Sequence, residues 1–141
     1  MNDPDDLQRF VDAQRGVYQQ ALAELRAGRK RTHWMWFIFP QLTGLGRSAM
    51  AQRYAIAGRR QAQAYLHHPL LGPRLETCTR AMLAHADRSA LQILGSPDDR
   101  KFHSCMTLFA QVAADPTLFA TALQVFFNGK ADAPSLRRLG D

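Results

Sequence analysis

The sequence predicts an all-α fold, a single compact multihelical domain over residues 1–141 with six or seven short to medium helices. Apolar residues recur three and four positions apart in several segments, which is the period of amphipathic helices. Prolines, glycines and capping residues divide these segments into short units. No segment alternates β-branched and polar residues in the way that is typical of strands. Because 46% of the residues are hydrophobic, a chain of this length forms a core without disulfide or metal support.

The clearest helix is predicted at the start of the chain. Its apolar residues keep the helical spacing from Leu7 to Leu25, so one continuous helix is expected there. Asp3 and Asp5 flank its start, where acidic side chains interact favourably with the helix dipole. Gly28 stands where a residue in the left-handed conformation commonly ends a helix.

Local start and stop signals predict the later boundaries. Serine caps a helix by accepting a backbone hydrogen bond, proline begins or stops a helix, and glycine or Asn-Gly ends one. The predicted boundaries are, in chain order, the stop at Pro40, the cap Ser48 of a helix through about Ala57, the break at Gly58, the stop at His68-Pro69, the start at Pro73, the cap Ser89 of a short turn ended by Gly95, the start Ser96-Pro97-Asp98-Asp99 with Ser96 as cap, the start Asp115-Pro116, the end Asn128-Gly129 and a last turn from Pro134 to Leu139.

The composition indicates a cytoplasmic protein that does not enter a membrane. The two cysteines, Cys78 and Cys105, form no CxxC motif and lie at helical spacing with apolar residues, so both are interpreted as buried hydrophobic residues in a reducing compartment. The first six residues are acidic and polar, unlike a secretory signal. The longest apolar run, Trp34 to Phe39, is far shorter than the roughly 20 residues that span a bilayer.

Positive charge is concentrated in one part of the chain. The formal net charge is +6, and no acidic residue occurs between Glu24 and Glu76. These 51 residues carry nine of the eighteen lysines and arginines. Such an uneven distribution of charge gives information about binding partners rather than about the fold. It indicates either an anionic ligand or a solvated basic surface.

The segment from His33 to Gln41 contains both tryptophans of the protein. It is interpreted either as a core helix or as the aromatic wall of a ligand pocket, with His33 and Gln41 as its polar ends. Of the two rings, Trp34 is predicted to be accessible and Trp36 to be buried. The turn at 44–48 can offer backbone amides and an arginine to an anion. The predicted ligand-binding residues are His33, Trp34, Gln41, Gly44, Gly46, Arg47 and Ser48.

Five short blocks of sequence carry a resemblance to a known family. They are HWMWFIFPQ at 33–41, GLGRS at 44–48, HPLLGPRL at 68–75, GSPDDRK at 95–101 and MTLF at 106–109. Together they resemble the bacterial and fungal family known as domain of unknown function 1810, often labelled calpastatin. The resemblance extends from Asp5 to Leu136 and implies a multihelical domain without an assigned activity or catalytic residue. Gly58 departs from similar sequences, which more often place a side-chain cap there.

Two further considerations limit what the resemblance implies. The calpastatin label conflicts with the composition, because inhibitors of that type are disordered whereas this chain has enough apolar residues for a core. The order of elements is also loosely similar to that of short helical proteins that remove ADP-ribose from nucleobases or act on riboflavin intermediates. The acid-free centre of the chain offers no match for their catalytic glutamate.

The leading hypothesis is a cytosolic binding domain for a small anionic, nucleotide-like ligand such as an ADP-ribose derivative. His33, Trp34 and Gln41 would orient the base or sugar, and the 44–48 turn would hold phosphate. Whether the domain is also an enzyme is left open. In a hydrolase, Asp98 and Asp99 would be the best carboxylates, although acids in a first helical turn also have a structural role.

Two alternatives come from other functional classes. A protein-interaction module could dock an acidic partner on its basic face, with an affinity that falls steeply with ionic strength. Nucleic-acid binding is less favoured, because Pro40 stops the preceding helix too early for a helix-turn-helix and the charge is modest for a groove-binding protein. The scattered histidines predict no metal site, no cofactor is implied, and no oligomeric state is assigned.

Overall fold

The computed structural model describes residues 5–140, and within this range its regular structure consists of helices and one isolated β-bridge. The helices are α1 (Gln8–Gln14), α2 (Tyr18–Arg26), α3 (Met35–Ile38), α4 (Ala49–Arg53), α5 (Arg59–His67), α6 (Leu71–Leu83), α7 (Ala90–Leu94), α8 (Asp98–Val112), α9 (Thr117–Phe127) and α10 (Ala133–Leu139). The predicted all-α fold is confirmed. Ten helices are present in the described range rather than six or seven, because α3, α4 and α7 are single turns of four or five residues.

The predicted first helix is two helices. Arg15 leaves the helical conformation with ψ 122°, and Gly16 has φ +77°, which favours glycine. The apolar spacing continues across this break, so Phe10 of α1 and Leu25 of α2 are both buried in the core. Gly28 has φ +78°, as expected of a residue that ends a helix. The predicted role of Asp3 lies outside the described residues.

Several predicted caps are confirmed. Ser48 Oγ accepts a hydrogen bond from the Ala51 amide at 3.0 Å, and Ser89 forms a capping box with Gln92. Asn128 takes the left-handed conformation with φ +55°. The prediction for Ser96 is wrong, because α8 begins at Asp98 and no side chain caps it. Pro97 is the residue before the helix and not its first residue.

Two other boundaries differ from the prediction. The helix capped by Ser48 ends at Arg53 instead of about Ala57, because the following residues pair with an earlier segment. The Ile56 amide donates to the Gln41 carbonyl, and the Thr43 amide donates to the Ile56 carbonyl, each at 2.9 Å. Helix α6 begins at Leu71, two residues before the predicted start at Pro73. The β-bridge fixes the position of the 41–43 segment.

Helix α8 lies at the centre of the packing. It contacts α5, α7, α9 and α10, and its buried residues include Phe102, Cys105, Met106 and Phe109. The core of the described residues is one cluster of side chains from nearly every helix. Because several helices pack against α8, the backbone of its first turn is well fixed and can hold outward-facing side chains in defined positions.

Both cysteines are buried, as predicted. Burial raises the pKa of Cys78 to about 12 and raises that of Cys105 well above its ordinary value. Thiols in such surroundings are weak nucleophiles, so they act as small core residues. Within residues 5–140, no helix has the length and hydropathy that crossing a bilayer requires.

Candidate ligand-binding cleft

The tryptophan segment has the opposite orientation to the one predicted. Trp34 is fully buried, with 0% of its surface exposed, whereas Trp36 is partly exposed. Trp34 precedes α3 with φ −144° and ψ 6°, and its Nε1 donates to Glu24 Oε1 at 2.9 Å. The prediction that Trp34 is the accessible ring is therefore wrong. An indole buried in a core needs an acceptor for its N–H, and the Glu24 carboxylate supplies it.

Glu24 is itself buried, with 4% of its surface exposed. It also accepts hydrogen bonds from the Arg31 amide at 2.7 Å, the Thr32 amide at 3.0 Å and the Thr32 hydroxyl at 2.6 Å. Burial alone would raise the pKa of Glu24, but these bonds and one from Gln20 lower it to about 2. One carboxylate thus fixes the segment between α2 and α3.

The two tryptophans should differ in quenching by iodide. In Trp34→Phe, the remaining Trp36 is partly exposed, and we expect strong quenching of its fluorescence. In Trp36→Phe, the remaining Trp34 is enclosed, and we expect weak quenching. Acrylamide serves as an uncharged control for attraction of iodide to the basic surface, and circular dichroism verifies that both variants fold. Equal protection in the two variants would contradict the assignment.

A chain of charges links the tryptophan segment to the start of α8. Lys30 Nζ lies 2.9 Å from Asp98 Oδ2 and 5.2 Å from the centre of the Trp34 ring. Lys101 Nζ lies 3.6 Å from Asp98 Oδ1 and 5.4 Å from the Trp36 ring centre. Asp98 therefore holds two lysines, and each lysine stands over one tryptophan. The Lys30–Asp98 ion pair therefore connects the segment from Arg29 to Arg31 with the start of α8.

A cleft of about 350 Å³ opens between the 41–46 loop and the first turns of α8 and α10. Its volume is within the range of small-molecule sites. The lining combines two cations, one carboxylate, two neutral polar side chains and several small or apolar residues. These residues are Gln41, Leu45, Gly46, Pro97, Arg100, Lys101, Ser104, Asp132 and Pro134.

Hydrogen bonds hold the carboxylate of Asp132 in place at the cleft. Its Oδ2 accepts from Ser104 Oγ at 3.0 Å, Ser135 Oγ at 2.6 Å and the Ser135 amide at 3.1 Å. The Asp132 amide donates to Thr107 Oγ1 at 2.9 Å. Its Oδ1 lies 3.9 Å from His103 Nδ1, which is too long for a hydrogen bond. One oxygen thus caps α10, and the other retains its capacity to accept.

The cleft contains two of the predicted ligand-binding residues, Gln41 and Gly46. Of the others, Trp34 is in the core, and His33 and Arg47 are exposed outside the lining. Ser48 uses its hydroxyl to cap α4. Of the predicted phosphate-holding turn at 44–48, Leu45 and Gly46 border the cleft, and Gly44, Arg47 and Ser48 do not.

Packing explains the glycines of this turn. A Cβ on Gly46 would lie 2.5 Å from the Ala51 Cβ, so a side chain there would displace α4. Gly44 has φ +86°, and a Cβ on it would lie 2.5 Å from the guanidinium carbon of Arg138. The Arg138 guanidinium donates to the Gly44 carbonyl at 3.4 Å. Helix α10 therefore supports the loop that forms one wall of the cleft.

The two carboxylates considered for hydrolysis, Asp98 and Asp99, are not among the lining residues. Asp98 is held by two lysines. Asp99 Oδ1 is buried and has no hydrogen-bond partner among residues 5–140. The lining instead includes Arg100, Lys101 and Asp132, which were not predicted. Arg100 and Lys101 belong to the GSPDDRK block at 95–101, so that block was the feature of the sequence that could have identified them.

Comparisons with known proteins give the family of the chain. The crystal structure of the conserved hypothetical protein Rv1873 from Mycobacterium tuberculosis is similar, with 50% sequence identity and a TM-score of 0.95. The match covers 97% of this chain and 98% of that one. No curated protein matches. The model of a family described as "Protein of unknown function (DUF1810)" matches residues 4–139. The chain belongs to this family, and the resemblance seen in its sequence is confirmed.

Proposed function

We propose that the cleft binds a small anionic, nucleotide-like ligand, such as an ADP-ribose derivative. The observation that carries this proposal is the pair of cations, Arg100 and Lys101, in a cleft of ligand size. Arg100 has no ion-pair partner among residues 5–140, so its guanidinium is available to phosphate oxygens. Guanidinium groups bind phosphate through paired hydrogen bonds.

The surroundings of Lys101 add to this positive charge. Asp98 is shared between Lys30 and Lys101, so the three groups together carry a net charge of +1. The contact at 3.6 Å to Asp98 Oδ1 orients the Lys101 ammonium without neutralising both lysines. A phosphate in the cleft would therefore meet a preorganised cation beside an unpaired arginine.

The other parts of the lining suit the rest of such a ligand. Leu45, Pro97 and Pro134 offer apolar contacts to a sugar or base, and the Gln41 amide offers both a donor and an acceptor. Trp36 places a partly exposed aromatic ring next to Lys101. This combination of apolar walls with few polar groups is common in small-molecule sites.

Thermal shift assays with ADP-ribose, ADP, pyrophosphate and uncharged adenosine test this proposal. A ligand at 100 times its dissociation constant adds about 2.7 kcal/mol to the free energy of unfolding. We expect ADP-ribose and ADP, but not adenosine, to raise the melting temperature. Arg100→Ala and Lys101→Ala should each weaken binding at least tenfold, because charged hydrogen bonds are lost.

Arg47→Ala is the matched control, because Arg47 is exposed outside the cleft lining. We expect its affinity for ADP-ribose to equal that of the original protein. A loss of affinity in Arg47→Ala without a loss in Lys101→Ala would place phosphate at the 44–48 turn instead. No melting shift with any phosphate compound would contradict the proposal.

A basic docking surface for an acidic protein is the second candidate function. Arg29, Arg31 and Arg47 are exposed and have no ion-pair partner among residues 5–140. Binding through such residues should weaken steeply between low and high ionic strength, whereas binding in a walled cleft should weaken less. Helix α4, only five residues long, offers little length for reading a DNA groove.

A further inference from the structure

We infer that Asp132 determines the specificity of the cleft and selects ligands whose hydroxyl groups accompany a phosphate, as in a ribose phosphate. This inference rests on the proposed function, since it assumes that Arg100 and Lys101 receive the phosphate. It adds a second group, a hydroxyl donor, to the chemistry of the ligand. The hydroxyl donor would explain why an aspartate lines an anion site, because the negative charge of Asp132 opposes the binding of a simple anion.

The geometry of Asp132 supports this role. Its side chain is 18% exposed, and Asp132 is one of the residues that line the cleft. Three donors, from Ser104 and Ser135, converge on Oδ2 and fix the plane of the carboxylate. Oδ1 accepts no hydrogen bond from residues 5–140, since His103 Nδ1 is 3.9 Å away. Oδ1 therefore keeps its capacity to accept a hydrogen bond, with His103 as its ion-pair partner whenever that imidazole is protonated.

Hydroxyl groups match this acceptor better than the alternatives. A sugar hydroxyl donates one hydrogen bond to a carboxylate oxygen and can accept another from the Gln41 amide, which also lines the cleft. An ammonium group has three donors and no acceptor, so it would leave the Gln41 N–H groups unused. The apolar Leu45 and Pro134 suit the carbon face of a sugar ring.

Asp132→Asn tests the inference with little change in shape. Asparagine caps helices as well as aspartate does, and its amide oxygen must face the Ser135 amide in place of Oδ2. The amide nitrogen then occupies the position of Oδ1, so an acceptor of Asp132 becomes a donor. We expect affinity for ribose 5-phosphate and ADP-ribose to fall at least tenfold, as measured by calorimetry. Pyrophosphate, which has no such hydroxyl, should bind as well or better.

Asp87→Asn is the matched control, because Asp87 is exposed and does not line the cleft. The original protein supplies a second measurement that does not depend on how the variant folds: ribose 5-phosphate should bind at least tenfold more tightly than inorganic phosphate. Equal binding of these two compounds would overturn the inference, as would equal effects of Asp132→Asn on ADP-ribose and pyrophosphate.

The outcomes separate the inference from the proposed function. If pyrophosphate and ADP-ribose both bind and both depend on Arg100, the proposed function holds whatever Asp132 does. If neither compound binds, the proposed function fails. If phosphoethanolamine binds more tightly than ribose 5-phosphate and loses affinity in Asp132→Asn, the group that Asp132 selects is an ammonium, and the hydroxyl assignment is overturned.

Discussion

Glu24→Ala should lower the free energy of unfolding by about 3–5 kcal/mol, because three N–H groups lose their carboxylate acceptor together. The variant leaves the Arg31 and Thr32 amides and the Trp34 indole N–H without their acceptor. Each unsatisfied buried donor costs about 1–3 kcal/mol, with partial relief where water enters. Urea denaturation followed by circular dichroism measures the loss.

Glu76→Ala is a suitable control for Glu24→Ala. Glu76 is a partly exposed residue of α6, and alanine is a better helix former than glutamate, so its stability should change by less than about 1 kcal/mol. Glu24→Ala should also reduce ADP-ribose binding, because Lys30, which holds Asp98, directly precedes Arg31 in the segment that Glu24 anchors. A stability equal to that of Glu76→Ala would show that the Glu24 network contributes little.

The Glu24 carboxylate should also account for part of the loss of folded-state stability at low pH. The folded pKa of Glu24 is about 2, below its ordinary value of 4.5, so the folded state binds protons less readily than the unfolded one. The resulting stabilisation, about 3 kcal/mol, is fully present above pH 4.5 and is lost as the pH falls toward 2. In Glu24→Gln this portion of the pH dependence should disappear. If the free energy of unfolding falls equally with decreasing pH in Glu24→Gln and in the original protein, the assignment to Glu24 is contradicted.

The fold was predictable where the determining chemistry is local. Ser48, Ser89 and Asn128 end or cap helices through contacts with residues at most a few positions away, and a short sequence pattern contains all of that information. Gly16 was missed because the apolar period continues through it. Ser96 was misassigned because serine before proline and two acids is also compatible with a start that no side chain caps.

The lining of the candidate cleft was predictable only in part, because its walls come from distant parts of the chain. Gln41 and Gly46, predicted from their place near the tryptophans, do line the cleft, but Lys101 and Asp132 reach it through the packing of α8 and α10. The orientation of the tryptophan segment has a similar cause. Adjacency to basic residues suggested that Trp34 faces outward, whereas the buried acceptor on Glu24 draws its indole inward.

Gly72→Ala should lower the free energy of unfolding by about 3 kcal/mol, at the upper end of the usual cost of overpacking. Gly72 lies buried in the first turn of α6, where that helix crosses the end of α5. A Cβ on Gly72 would lie 2.1 Å from the Leu66 carbonyl oxygen and 2.9 Å from its carbonyl carbon. Both are backbone atoms, so relief requires the two helices to move apart.

Whether Gly72→Ala lowers or raises the free energy of unfolding distinguishes the effect of close packing from that of helix propensity. Alanine in a helix is favoured over glycine by about 1 kcal/mol, so without the contact Gly72→Ala would stabilise the protein. Gly58→Ser is the matched control, because Gly58 precedes α5 in an extended conformation with φ 170°, and a Cβ there meets nothing within 4 Å. Serine also supplies the side-chain cap that α5 lacks, and we expect its stability to be equal or higher by a few tenths of a kcal/mol. Thermal and urea unfolding of both variants measure the difference, and an increase in stability for Gly72→Ala would refute the close approach of α6 to Leu66.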